Sequence, residues 1–213
     1  MKQRVLFVAG ATGAVGGALI PLADKLGLTA VPHARPKSAA KLTHPRAVAF
    51  ELTDSPRLVE VLRGCTTVLQ LIGTMKKRFS TGDTYESSDV GTTAALVAAA
   101  KQAGVDHFVL LSAVGAGKPV GAYLKAKARA EALVRESGLD FTILRPSTFE
   151  DREGGSMPLA RKVTRALGLT KYEPISLHEL AAALLHVAAE RSPLGVALEG
   201  GTLWEVVSAA RKG

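Results

Sequence analysis

Short apolar runs alternate along the chain with longer segments whose apolar positions recur at helical spacing. Val5-Leu6-Phe7-Val8 carries no polar residue and reads as a strand buried on both faces. The Gly/Ala-rich stretch from Val15 to Leu26 reads as a helix. Further strands are predicted at Thr29–His33, Ala47–Phe50, Thr67–Ile72, His107–Leu111 and Asp140–Leu144. Helices are predicted from Pro56 to Arg63 with Ser55 as cap, from Tyr85 to Ala103 ending at Gly104, and from Gly121 to Glu136 ending at Gly138. Beyond Arg145-Pro146 the pattern loosens. Asp151 to Ser156 reads as a loop, and a basic helix follows from Pro158 to Leu167. Ser176-Leu177-His178-Glu179 is a capping-box pattern that opens a helix running to Glu190. Val196–Glu199 reads as a last strand, with a short helix after Thr202. Strand–helix alternation of this kind predicts an α/β fold, a doubly wound parallel sheet, in a single domain spanning 1–213. There is no internal repeat and no linker.

The first strand runs into Gly10-Ala11-Thr12-Gly13-Ala14-Val15-Gly16, so a glycine turn joins strand to helix. That arrangement suits a dinucleotide pyrophosphate. Gly10 permits the sharp turn, Gly13 removes a side chain where backbone meets phosphate, and Gly16 lets the helix pack closely on the strand. The free N–H groups and dipole of the helix start favour an anion. Two other readings compete. Val5 to Leu22 is uncharged and follows Lys2 and Arg4, as in a targeting or membrane segment, but its glycines, Thr12 and Pro21 make a poor spanning helix. The turn could also serve packing alone.

Tyr123-Leu124-Lys125-Ala126-Lys127 places a tyrosine and a lysine four apart, on one face of a predicted helix. Ser112 ends the preceding strand, at the edge where open α/β sheets bind ligands. These three residue types suit carbonyl reduction. Tyr123 can give a proton to the developing oxyanion, Lys127 can lower the phenol pKa and reach a ribose, and Ser112 can hold the substrate oxygen. The competing reading makes Lys127 one more surface charge beside Lys125 and Arg129, with Tyr123 half-buried packing.

Composition narrows the classes. A chain of 213 residues, 47% hydrophobic, is globular rather than disordered. The single cysteine, Cys65, cannot close an intrachain disulfide, which fits a reducing cytoplasm. The net charge of +8 is spread along the chain, with short clusters at Lys76-Lys77-Arg78 and at Arg161-Lys162 and Arg165. Most of it reads as solvated surface. Aromatic residues are 5% and are not interleaved with these clusters, so no nucleic-acid platform is expected, and no membrane partner either. His178 and His186 lack metal-ligand spacing, and no metal is predicted. Oligomeric state is not legible.

The end of the second strand reads His33-Ala34-Arg35-Pro36-Lys37 and lacks the acid that usually grips a ribose 2′-hydroxyl. Arg35, assisted by Lys37, suits the 2′-phosphate of NADP(H) instead, unless it is an ordinary loop arginine.

The chain resembles the atypical short-chain dehydrogenases/reductases, NAD(P)H-binding proteins, and most nearly the Tat-interacting-protein-like and NmrA-like oxidoreductases. The resemblance rests on Gly10 to Gly16, Ile72-Gly73-Thr74, His107 to Ser112, Tyr123 to Lys127 and Leu144-Arg145-Pro146. It implies a Rossmann fold with NADPH across the carboxyl edge of the sheet and a Ser112, Tyr123, Lys127 triad. The cofactor would then contact Gly10, Thr12, Gly13, Ala14, Val15, Gly16, Arg35, Lys37, Asp54, Ile72, Gly73, Thr74, Ser112, Tyr123, Lys127, Arg145 and Pro146. Asp54 resembles the residue that binds the adenine amine; as an alternative, it caps the helix beside it. Residues about 146–190 would form the substrate side. The expected function is NADPH-dependent reduction of a small carbonyl or quinone by hydride transfer, and the alternative is an NADPH-binding redox sensor without turnover. The interval from Ser112 to Tyr123 is shorter than in the best-known members.

Overall fold

The computed structural model describes residues 4–73, 84–150 and 157–212. Its strands are β1 Val5–Ala9, β2 Thr29–Ala34, β3 Val48–Ala49, β4 Thr67–Gln70, β5 His107–Leu111, β6 Asp140–Leu144, β7 Phe149–Glu150, β8 Ile175–Ser176 and β9 Val196–Leu198. Its helices are α1 Ala14–Lys25, α2 Ser55–Leu62, α3 Thr92–Ala103, α4 Gly121–Arg135, α5 Met157–Ala166, α6 Leu177–Glu190 and α7 Gly201–Ala210. Seven strands form one parallel sheet in the order β3-β2-β1-β4-β5-β6-β9. The order reverses between β1 and β4, which makes a crevice at their carboxyl ends the natural ligand position.

The uninterrupted apolar strands follow from burial on both faces. Leu6 and Val8 of β1 point into one core with Leu69, Val109 and Leu144, packed under α1, α6 and α7. Phe7 and Ala9 point into the other with Val68, Phe108 and Ile143, packed under α2 and α3 with the inner side of α4. A strand between two cores has no polar face to alternate with.

Several predicted elements differ in detail. The segment from Tyr85 to Ala103 is not one regular helix: Glu86–Gly91 is π-helical and α3 begins at Thr92. The cap of α2 is Asp54, not Ser55; its Oδ1 accepts the Arg57 N–H at 3.3 Å. β4 ends at Gln70 rather than Ile72, because the Gln70 side chain, not a neighbouring strand, takes the Ile72 N–H at 3.0 Å. The two-residue pair β7 and β8 is absent from the sequence reading. In the basic cluster on α5, Lys162 and Arg165 are exposed as expected, and Arg161 is less solvated. Arg161 pairs with Glu179 and lies 5.0 Å from the Trp204 ring centroid, while Arg165 pairs with Glu173 at 2.7 Å. Residues 151–156 and Lys76-Lys77-Arg78 lie outside the described residues. Among the described residues, no helix is long and apolar enough to cross a membrane.

His107 opens β5 with no solvent exposure, its Nε2 3.0 Å from Thr142 Oγ1. Burial, reinforced by the Arg191 charge, pushes its pKa down from 6.5 to about 4. Between those values the unfolded chain binds the proton and the folded chain does not. Stability is therefore complete above pH 6.5 and falls as pH drops towards 4, by about 3 kcal/mol. His33, also held low by burial, adds in the same sense. Denaturant unfolding at about pH 7 and about pH 4 should show wild type losing roughly 2–3 kcal/mol more than His107→Gln. Equal losses would remove His107 as the cause.

Candidate functional site

The glycine turn leaves β1 at Gly10, whose φ of +94° is open to glycine and strained for other residues. A Cβ there would also lie 3.1 Å from the Ile72 backbone nitrogen, so Gly10 admits the exit of β4 as well as the turn. A Cβ at Gly16 would lie 2.6 Å from Ala11 Cα, so this glycine sets the close packing of α1 on the turn. Gly13 is different: a Cβ there would meet only its own turn, Gly10 O at 3.3 Å. Val15 is buried in the core, while Thr12 and Ala14 are exposed. The start of α1 has no side-chain cap and no acid in its first turn, unlike α2 and α6, which Asp54 and Ser176 with Glu179 cap. A dinucleotide pyrophosphate fits such a helix start, with its outward N–H groups and positive dipole end.

At the exit of β5, Ser112 is 4% exposed and its hydroxyl donates to Glu131 Oε1 at 2.6 Å. Glu131, on α4, also receives Arg145 Nε at 2.8 Å and Arg145 Nη2 at 2.6 Å, as well as Arg135 at 2.9 Å. Burial pushes the Glu131 carboxyl up, but the hydrogen bonds from Arg145, Ser112 and Arg135 outweigh it and hold the group below its usual range. Ser112 has one hydroxyl proton, and it points at the Glu131 carboxylate. Towards a ligand its Oγ therefore offers lone pairs, where the sequence suggested a donor to the substrate oxygen. Arg145, expected beside the cofactor, is held by Glu131 and lies 3.6 Å from Glu199. Pro146 is buried, and its carbonyl accepts the Val114 N–H at 2.9 Å, tying the loop after β5 to the exit of β6.

Lys127 is not a surface charge. It is 5% exposed, and its Nζ donates to Leu111 O at 3.1 Å and pairs with Asp89 Oδ1 at 2.9 Å. Asp89 is 1% exposed and comes from the π-helical turn. Gly73 makes room for the pair: a Cβ there would stand 3.1 Å from Lys127 Nζ and 3.3 Å from Asp89 Oδ1. Gln70, fully buried, sets this spacing. Its amide donates to Thr92 Oγ1 at 2.8 Å and Thr93 Oγ1 at 3.2 Å, and Thr93 Oγ1 donates to Asp89 O at 2.6 Å.

Tyr123, one helical turn before Lys127, is partly exposed with its ring centroid 5.5 Å from that of Tyr85. Burial, with the Asp89 charge and Tyr85 behind it, pushes the phenol up to about 12. The phenol is thus raised where the sequence suggested lowering by Lys127, first by burial and then by the Asp89 charge beside it. The remaining expected residues follow β2, β3 and β4. Arg35 follows β2 directly, and Lys37 is exposed in the 3₁₀ turn Pro36–Lys41. His33 is turned inward, with its Nε2 2.8 Å from Phe50 O. Asp54 caps α2, the alternative weighed for it. Ile72 and Gly73 leave β4 beside Gly10; Thr74 lies outside the described residues.

Sequence reasoning missed Asp89, Gln70 and Glu131. A signal existed for Glu131: Tyr123, Lys127 and Glu131 recur every four residues on α4, so a polar stripe lies on the inward side of an otherwise Ala-rich helix. For Asp89 the signal was fainter, a lone acid beside Val90 at an inward helical position.

The NAD(P)H-binding family matches residues 10–191 of the chain. Protein FMP52, mitochondrial, of Debaryomyces hansenii is 27% identical over 204 residues, covering 86% of this chain and 87% of that protein. Divinyl chlorophyllide a 8-vinyl-reductase, chloroplastic, of Cucumis sativus is 26% identical over 186 residues, 75% of this chain and 42% of that protein. Two solved structures share the fold. The oxidoreductase ylbE from Lactococcus lactis has a TM-score of 0.68 at 19% identity, over 98% of this chain and 97% of its own. UDP-glucose 4-epimerase from Brucella ovis in complex with NAD has a TM-score of 0.68 at 18% identity, over 97% and 81%. With its glycine turn, switch-point crevice and seven-stranded parallel sheet, the chain belongs to the NAD(P)H-binding family, as an atypical short-chain dehydrogenase/reductase-like protein with a Rossmann fold.

Proposed function

We propose that the protein is an NADPH-dependent reductase of a small carbonyl or quinone, with Tyr123 as the proton donor. One observation carries this reading: Lys127 is buried at the carboxyl end of β5, one helical turn from Tyr123, where a solvated surface lysine would not be. A bound nicotinamide supplies the hydride. The chain does the rest. The outward N–H groups at the start of α1 hold the pyrophosphate, with Gly13 admitting it. Arg35, assisted by Lys37, pairs with the 2′-phosphate. Lys127, which gives one ammonium proton to the Leu111 carbonyl and pairs with Asp89, donates another to the nicotinamide ribose. Tyr123 gives its phenolic proton to the substrate oxygen as the carbonyl carbon gains hydride, and its partly exposed ring regains a proton from solvent. Ser112 accepts a hydrogen bond from the bound cofactor or substrate while its own hydroxyl donates to Glu131.

Calorimetric titration tests the cofactor. NADPH should bind more tightly than NADH, and Arg35→Ala should weaken NADPH about ten- to a hundred-fold, the worth of a charge-assisted pair of about 1.5–3 kcal/mol. Tighter NADH binding would overturn the assignment. Gly13→Val should abolish nucleotide binding while circular dichroism stays unchanged, because the new side chain enters the space of the pyrophosphate rather than the core. Normal binding by that variant would reduce the segment to a packing turn.

Turnover is followed as loss of nicotinamide absorbance over a panel of carbonyls and quinones. Tyr123→Phe should lower it about 10²- to 10⁴-fold with NADPH affinity nearly unchanged. Full activity of Tyr123→Phe on carbonyls would refute the mechanism. NADPH binding without turnover on any compound would favour a redox sensor.

A further inference from the structure

Helix α5 is turned the opposite way from an ordinary surface helix. Its inward side carries Ala160, Arg161 and Thr164. Arg161 fastens it to the body: its Nε donates to Pro174 O at 2.8 Å, its guanidinium pairs with Glu179, and it sits over the Trp204 ring. The outward side carries Leu159, Val163 and Leu167, spaced four apart and therefore aligned in one stripe. Leu159 is 67% exposed and Leu167 66%. Just past the turn at Gly168, Leu169 and Tyr172 are exposed as well. A surface helix in water normally turns its apolar stripe to the core. A stripe turned outward marks a surface that meets something other than water.

Charge decides what that is. Met157 to Tyr172 holds Arg161, Lys162, Arg165 and Lys171 and no acid. The carboxylates that pair with these cations lie beneath them. The Arg165 side chain is 61% exposed over a Glu173 side chain at 2%. Lys171 likewise lies over Glu199, and Arg211 over Glu179. Seen from outside, the face is an apolar stripe rimmed by cations. A second copy on this face would set like charge against like. We propose that α5 docks the protein on an anionic lipid surface. The helix lies in the plane of the headgroups, with Leu159, Val163 and Leu167 in the acyl boundary and Lys162 and Arg165 among the phosphates. α5 stands at the carboxyl edge of the sheet: Arg161 reaches Pro174 beside β8, which pairs with β7 after β6, and Lys171 reaches Glu199 after β9. Docking therefore brings the edge that carries the crevice to the bilayer.

The test is co-sedimentation of the full chain, at physiological salt, with vesicles of phosphatidylcholine alone or of phosphatidylcholine and phosphatidylglycerol in equal parts. Wild type should pellet with the mixed vesicles and stay in solution with the neutral ones. The double variant Leu159→Ser, Leu167→Ser should bind the mixed vesicles at least about thirty-fold more weakly, because two exposed leucines no longer enter the acyl boundary. Lys162→Gln should weaken binding about five-fold, the worth of one cation near an anionic leaflet. Leu26→Ser, at an exposed leucine after α1, should bind like wild type. Should the double variant fail to fold by circular dichroism, the two single serine variants decide, each binding about five-fold more weakly. Absence of binding to the mixed vesicles overturns the proposal. Undiminished binding by the serine variants also overturns it, because the net charge of +8 alone would then hold the protein. Equal binding to neutral vesicles overturns the anionic assignment. A dimer on size-exclusion chromatography that the serine variants dissolve overturns it too, since a second copy would then cover the stripe. The measurement needs neither cofactor nor substrate, so its failure leaves the reductase reading standing.

Discussion

The candidate site depends on one buried carboxylate. Glu131 receives hydrogen bonds from the exit of β5 through Ser112, from the exit of β6 through Arg145, and from its own helix through Arg135. This junction ties α4, which carries Tyr123 and Lys127, to the exits of β5 and β6. A carboxylate buried this deeply is tolerable because its oxygens are fully used by partners. The same fact makes the junction brittle. Loss of Arg145 would remove two of its four hydrogen bonds and leave the carboxylate to Ser112 and Arg135. The arrangement therefore fixes α4 in rotation as well as in depth, and rotation is what decides whether Tyr123 and Lys127 face the crevice.

The other wall of the site is set by amide and hydroxyl groups. Gln70 ends β4 by bonding the Ile72 N–H with its oxygen and the Thr92 and Thr93 hydroxyls with its nitrogen. One side chain thus closes the strand, starts α3 and places the π-helical turn. Ionic groups pull α4 onto the sheet while neutral ones align the turn opposite it. The Lys127–Asp89 pair bridges the two walls.

Much of the fold was legible because its determinants are local. Uninterrupted apolar runs mark strands between two cores, and Gly104 marks the end of α3 in a left-handed conformation. The glycine turn was legible for the same reason, each glycine having a steric task within a few residues. The chemistry of Tyr123 and Lys127 was visible in their spacing, but the state of the phenol was not. That state depends on burial and then on Asp89, thirty-odd residues upstream and brought close only by packing. Ser112 shows the same limit: its residue type suggested a donor, and only the position of Glu131 across the helix reveals where its proton goes. The π-helical turn leaves no mark in hydrophobic periodicity, since one widened turn shifts the phase less than the pattern itself scatters.

The two outermost strands of the sheet are its shortest: β3 has two residues and β9 has three, flanking strands of four to six. A sheet grows by offering a row of free donors and acceptors along its margin, and here each margin is only a few peptide groups long. Neither side gives an incoming chain enough backbone to pair with. The molecule can keep an intensely apolar centre, one that would aggregate as isolated peptides, without templating its own polymerisation.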